Sequence, residues 1–124
     1  MESRKDDKKY SVKEGRRSGH EMMNRYRDIL PFDSTRVKLR NAPYINASWI
    51  SKKEYIATQG PKPDTVRMFW EMVIQYKIEI IVMLCKLKEI NNRNYYTNGA
   101  APPMKEKCAE YWPQQTNTNK HIGT

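Results

Sequence analysis

Residues 44–50, YINASWI, alternate along the chain. Tyr44, Asn46, Ser48 and Ile50 fall on one face, and Ile45, Ala47 and Trp49 on the other. A period of two predicts a strand with at least one buried face. Glu54–Thr58, EYIAT, predicts a second short strand, and Ile50–Lys53 leaves room only for a tight reversal, so the pair is expected as a β-hairpin. Gln59-Gly60-Pro61-Lys62-Pro63 then interrupts any regular pattern. Asp64 is a good N-cap, because its carboxylate can accept from the free N–H groups of a first helical turn. After it, Val66, Phe69, Trp70, Val73 and Ile74 recur at i, i+3, i+4, i+7 and i+8. That stripe predicts a helix over 64–76. Residues 78–84, IEIIVML, are almost continuously apolar and rich in β-branched side chains, as in a strand buried on both faces. Hairpin, helix and buried strand together give an α/β (α+β) fold.

Polarity gathers at the two ends. Residues 1–20 hold seven Lys/Arg, four Asp/Glu and only three hydrophobic side chains, Met1, Tyr10 and Val12. So little apolar area does not offset the entropy of ordering, and 1–20 is expected as a basic, disordered tail. Residues 114–124 are expected as a second polar tail. Between them, 21–113 forms the globular segment, with 91–107 (NNRNYYTNGAAPPMKEK) expected as a loop insertion because Asn, Gly and Pro cluster there.

Composition narrows the function classes. The formal net charge is +9 and the mean hydropathy -0.94. No apolar run approaches the roughly 18 residues a membrane span needs, and MESRKDDKKY has no signal-peptide core. Cys85 and Cys108 make neither a disulfide framework nor a zinc pattern, which favours a reducing, cytoplasmic setting. His20 and His121 lie near opposite ends, so no metal site and no metal cofactor is expected. The positive charges are scattered and no nucleic-acid module motif accompanies them, so nucleic acid is not an expected partner. A basic rim suits phosphorylated or acidic peptides instead.

Five blocks in order carry a family likeness. They are Asn24–Leu39 (NRYRDILPFDSTRVKL), Tyr44–Ile50 (YINASWI), Tyr55–Pro61 (YIATQGP), Asp64–Val73 (DTVRMFWEMV), and Ile81–Leu84 (IVML) with Lys107–Pro113 (KCAEYWP). Together they resemble the N-terminal half of a classical protein-tyrosine-phosphatase domain. Met23, Pro43 and Met68 stand where that family usually has Lys, Asp and Asp, which marks a divergent member. The resemblance implies hydrolysis of phosphotyrosine in proteins through a cysteinyl-phosphate intermediate, with no cofactor. It also implies that Tyr26 walls the cleft and stacks on the phosphotyrosine ring, that Asp28 accepts hydrogen bonds from the peptide backbone, and that Arg27 and Lys107 belong to the substrate-binding rim. Arg25 is expected as a structural hydrogen-bond hub, Asn46 as a structural hydrogen-bonder and Cys108 as a buried packing residue.

The family's chemistry needs a cysteine thiolate with an arginine six residues on, and a loop of backbone N–H groups to cradle the phosphate. Six after Cys85 is Asn91, and six after Cys108 is Gln114. The family's general acid is an Asp on a Trp-Pro-Asp loop, but Gln114 follows Trp112-Pro113 and Asp64 is the last Asp of the chain. No catalytic residue is assigned. The catalytic half is missing, and the chain is expected to be inactive alone, as a fragment of a soluble enzyme or of the cytoplasmic side of a receptor. The alternative is a non-catalytic protein that binds phosphotyrosine or pairs with another phosphatase. Without the neighbouring strands, 78–84 would leave apolar side chains bare, so poor folding or self-association is expected.

Overall fold

The structure is a computed structural model that describes residues 8–90, 104–113 and 120. Short helix α1 covers Lys13–Arg16, and a 3-10 turn covers Glu21–Met23. Strands β1 (Ala47–Ile50) and β2 (Tyr55–Thr58) form an antiparallel hairpin, with Ala47 opposite Thr58 and Ile50 opposite Tyr55. Arg36 adds a single bridge to Ser48 on the other edge of β1. Helix α2 covers Val66–Gln75. A second antiparallel pair, β3 (Lys88–Ile90) and β4 (Met104–Glu106), sets Glu89 opposite Lys105.

The core lies between the hairpin, α2 and the Lys107–Pro113 segment. Val37, Ile45 and Ala47 meet Val66, Phe69 and Met72 of α2, and Cys108, Ala109 and Tyr111 close the cluster. The Phe69 and Tyr111 rings lie 4.7 Å apart, and Trp70 Nε1 donates to Tyr111 O at 2.8 Å. The buried face of α2 therefore runs through Val66, Phe69 and Met72, with Trp70 and Val73 half-buried and Ile74 76% exposed. Ile74 was expected in the apolar stripe. Its side of the helix has no cover among the described residues, whereas Phe69 lies under Tyr111.

The helix start also differs by one residue. Thr65, not Asp64, precedes the first helical residue, and its hydroxyl accepts from Lys62 N–H at 2.9 Å rather than capping. At the other end, Lys77 N–H donates to Ile74 O at 3.3 Å and Ile78 N–H to Val73 O at 2.9 Å. This is a Schellman closure, with Lys77 in the left-handed position (φ 52°) that glycine usually fills.

Three expectations need correction. Residues 78–84 form no hydrogen-bonded strand, and Ile80, Val82 and Leu84 are 78%, 72% and 94% exposed, because no other described strand lies beside them. Met83, Cys85 and Leu87 alternate with the exposed side chains and pack against the core. The expected loop 91–107 contains β4 at 104–106 and the half-buried Lys107, while 91–103 lies outside the described residues.

The third correction is the N-terminal tail. Residues 1–7 lie outside the described residues, but 8–20 pack against the body. Asp33 accepts from Ser11 Oγ at 2.6 Å and from the N–H groups of Lys13 and Glu14, both at 2.9 Å, and so caps α1 from a distance of twenty residues in sequence. Its own backbone N–H donates to Ser11 O at 2.7 Å. Gly15 sits where a Cβ would come 3.2 Å from the Tyr44 hydroxyl and from Leu30 Cβ. His20 stacks on Tyr44 with ring centroids 4.7 Å apart. Polar capping and aromatic stacking order this stretch without the apolar area whose scarcity predicted disorder.

Candidate recognition site

The residues of the Asn24–Asp28 segment are fixed one after another. Asn24 is buried, and its Oδ1 accepts from the Tyr44 hydroxyl at 2.6 Å and from Asn46 Nδ2 at 3.0 Å. Asn24 Nδ2 donates to Gly15 O at 2.9 Å, and Asn46 Nδ2 also donates to Ile29 O at 2.9 Å. Burial pushes the Tyr44 hydroxyl up to about 12, against the opposing pull of Arg36 and of its bond to Asn24, so it stays a donor at neutral pH.

Arg25 ties this segment to two others. Its backbone N–H donates to Gln59 Oε1 at 2.8 Å, and Gln59 Nε2 returns a bond to Met23 O at 2.7 Å. Its guanidinium donates to Gly60 O, Pro61 O and Glu106 O at 2.9, 2.6 and 3.0 Å. The Glu106 carboxylate lies 3.5 Å away. Arg25 is thus the hub its position suggested, and its donors are spent on the chain itself.

Tyr26, next along, leans on β4 and the residue after it. Lys107 Nζ donates to Tyr26 Oη at 3.0 Å. Lys105 and Lys107 each place an ammonium over the Tyr26 ring, 5.1 and 5.2 Å from its centroid. Arg27 and Asp28 follow on an exposed turn. Of the four expected substrate-binding residues, Tyr26 and Lys107 are in contact across 81 positions of sequence, and Arg27 and Asp28 adjoin Tyr26 in the chain. Lys105 was not singled out from the sequence. Its signal is the i, i+2 spacing to Lys107, which puts both lysines on one side of an extended segment.

Cys108 lies beneath this site rather than in it. It is 3% exposed, and burial first, then the neighbouring Cys85, pushes its thiol up to about 11. A thiol protonated at neutral pH is a poor nucleophile. Among the described residues no group of His, Cys, Asp or Glu could hold a metal ion, and no helix is long and apolar enough to cross a membrane.

Comparisons with known proteins agree with the ordered blocks. A family profile described as protein-tyrosine phosphatase matches residues 20–124, a span that takes in the polar segment 114–124. Receptor-type tyrosine-protein phosphatase C of Rattus norvegicus is 41% identical over 115 residues, covering 85% of this chain and 8% of the relative. Tyrosine-protein phosphatase non-receptor type 7 of Homo sapiens is 42% identical over 111 residues, covering 81% of this chain and 27% of the relative. A solved structure of PTPN18 in complex with HER2-pY1196 phosphopeptides superposes with a TM-score of 0.71 at 34% identity, covering 90% of this chain and 38% of that one. The chain therefore spans only a minor part of each of these relatives, which include receptor-type and non-receptor proteins. With the profile matched over most of its length and the fold shared with a solved member, this chain belongs to the protein-tyrosine phosphatase family.

Proposed function

We propose that this chain supplies the phosphotyrosine-recognition front of a protein-tyrosine-phosphatase domain and has no turnover of its own. Tyr26 stacks on the phosphotyrosine ring, Asp28 accepts from the peptide backbone, and Arg27 and Lys107 line the approach. The observation that carries this reading is the support of Tyr26. Asn24 and Arg25 are locked on its N-terminal side, and Lys107 holds its hydroxyl at 3.0 Å. A ring held in one orientation loses little freedom when a second ring stacks on it. The partners on this reading are phosphotyrosine proteins in signalling, met in the cytoplasm or on the cytoplasmic face of a receptor. A family member of the same fold has been solved with phosphopeptides, which supports that partner class.

Binding is expected to be weak. Ring stacking contributes about 0.5–1.5 kcal/mol beyond area burial, and a net hydrogen bond about 1 kcal/mol. Even a millimolar complex needs about 4 kcal/mol. The test is a phosphatase assay with an aryl phosphate and a phosphotyrosine peptide, run beside a binding titration. No turnover and weak binding that falls in Tyr26→Ala are expected. Turnover abolished by Cys85→Ser or Cys108→Ser would overturn the proposal.

A second reading rests on a separate observation. The bare side chains of Ile80, Val82 and Leu84 make an apolar strip that another chain can cover. On this reading the chain is a non-catalytic interaction protein that binds phosphotyrosine or pairs with another phosphatase. Micromolar phosphopeptide affinity, without turnover, would favour it.

A further inference from the structure

Ser11 lies in a run of cations. Lys8 and Lys9 precede it by three and two positions, Val12 follows it and Lys13 comes next. All three lysines are exposed, and Ser11 and Val12 are half-buried. Lysines on both sides of a serine, with an apolar residue directly after it, complement a protein kinase whose peptide cleft is lined by carboxylates. Among the described residues, the contacts that hold 9–11 to the body come from one turn, 32–34. Ser11 Oγ donates to Asp33 Oδ2 at 2.6 Å, Asp33 N–H donates to Ser11 O at 2.7 Å, and Ser34 Oγ donates to Lys9 O at 3.1 Å. The Tyr10 ring meets Phe32 edge-on with centroids 5.3 Å apart, and Tyr10 is 54% exposed. A segment held by so few links, all near the surface, opens locally at little cost, and opening frees the Ser11 hydroxyl.

We propose that Ser11 is a phosphorylation site for a basic-directed serine kinase, and that its phosphate releases the 8–20 segment from Asp33. In the transfer, Ser11 Oγ bonds to the γ-phosphorus of ATP, the bond from that phosphorus to the ADP oxygen breaks, and the hydroxyl proton passes to the base of the kinase. The Ser11 group that donated to Asp33 becomes a dianion with only acceptors. The donors at hand, Lys13 N–H and Glu14 N–H, are already held by Asp33 at 2.9 Å each. The phosphate therefore meets a carboxylate, and like charges drive the two apart. Once 8–20 leaves, Asn24 Nδ2 loses Gly15 O and the Tyr44 ring loses its stack with His20. The modification site stands independently of the phosphotyrosine reading. Only the consequence for Tyr26, two residues beyond Asn24, rests on that reading.

The test incubates the full 124-residue chain with ATP, magnesium and the catalytic domain of protein kinase C as the basic-directed probe. Tandem mass spectrometry locates the phosphate, and amide exchange then reads protection in 11–16. Phosphate is expected on Ser11, and Lys8→Ala with Lys9→Ala should slow its arrival about ten-fold. Asp33→Ala, which frees the hydroxyl, should speed it about five-fold, the size of a lost helix cap. Protection in the phosphorylated chain should fall about five-fold for the same reason. In Asp33→Asn, which has no carboxylate to repel, phosphorylation should change protection far less. Ser18 is exposed on the same segment behind Arg16 and Arg17 and supplies the control. A Ser11→Ala chain given the same kinase should keep its protection even where Ser18 takes up phosphate.

Phosphate absent from Ser11 both in the unaltered chain and in Asp33→Ala overturns the site. Phosphate on Ser11 with protection unchanged or raised overturns the release, because the first-turn N–H groups or Arg36 would then have accepted the dianion in place of Asp33. An equal fall in protection in the parent chain and in Asp33→Asn overturns the assigned cause.

Discussion

Gly60→Ala is the substitution whose effect the geometry fixes most tightly. A Cβ on Gly60 would lie 2.2 Å from Lys107 O and 3.0 Å from Cys108 Cβ. The nearest atom is backbone, so no side-chain rotation relieves the contact. The Gln59–Pro61 turn and the Lys107–Ala109 segment must part by about 1 Å to reach an ordinary separation. That movement strains bonds on both sides of the seam. Arg25 Nε to Gly60 O is 2.9 Å, Arg25 Nη2 to Pro61 O is 2.6 Å, and Ala109 N to Pro61 O is 2.7 Å. Overpacking alone costs about 1–3 kcal/mol, and a weakened bond from a charged donor adds about 1.5–3 kcal/mol. Alanine also restricts the unfolded chain, which offsets about 0.4–1 kcal/mol. The net expectation is a loss of about 3 kcal/mol, a large part of the 5–15 kcal/mol that holds a small domain folded. The assay is urea unfolding at low micromolar concentration, followed by the summed fluorescence of Trp49, Trp70 and Trp112, of which Trp70 donates to Tyr111 O beside the seam. Gly19→Ala serves as a contrast, because its Cβ would meet nothing within 4 Å while its φ of +90° carries a purely conformational cost. That cost is about 1–2 kcal/mol. A Gly60→Ala loss below about 1 kcal/mol would refute the reasoning, because the seam would then be slack.

Other outcomes follow from single features. Lys77→Gly should raise stability by about 1 kcal/mol in the same urea assay, because Lys77 occupies the left-handed position of a Schellman closure at φ 52°; no gain would show that the turn is not held in that conformation. Partial burial raises the Asp33 carboxyl, but the bonds from Ser11, Glu14 and Lys13 and the charge of Arg36 outweigh it and hold the group below its ordinary 3.8. A depressed folded-state value means that stability is present above the unfolded value and lost as pH falls through the folded one. Amide protection in 11–16, taken relative to the intrinsic exchange rate, should therefore fall in acid below pH 3.8, and Asp33→Asn should flatten that dependence. Val82→Lys with Leu84→Lys should shift the chain towards monomer in sedimentation at raised concentration, because both side chains are bare; a monomeric parent chain would remove the basis for self-association.

Much of the architecture was legible because it depends on local period. The hairpin appears where alternation places it, and α2 lies within two residues of both predicted ends. What failed depends on partners remote in sequence. The buried face of α2 is set by the hairpin side and by Tyr111, which no helical wheel contains, so Phe69 and Met72 are covered and Ile74 is not. Residues 78–84 have the composition of a sandwiched strand, but burial is conferred by neighbours, and among the described residues none pairs with them. Strands β3 and β4 are three residues each, with the sequences KEI and MKE, too short and too charged for periodicity to reveal. Tyr26 and Lys107 could be named from family motifs, but their contact at 3.0 Å is a product of the fold.

The N-terminal segment shows why a compositional reading of disorder fails at this site. Asn24 sits immediately before the hub and the recognition tyrosine, and its amide is completed only by Gly15 O from the segment expected to be disordered. Without residues 11–20 the Nδ2 donor of Asn24 would lose that partner, and the Tyr44 ring would lose its stack with His20. An unpaired buried donor costs about 1–3 kcal/mol. The segment is held in turn by Asp33, three residues past Leu30, against which Gly15 packs. The order of 8–20 and the fixing of Asn24–Tyr26 therefore belong to one network of polar bonds, buried around Asn24 and partly exposed around Asp33, rather than to two separate features. A hydrophobicity count cannot register such a network, because its stabilisation comes from satisfied donors and acceptors, not from apolar area.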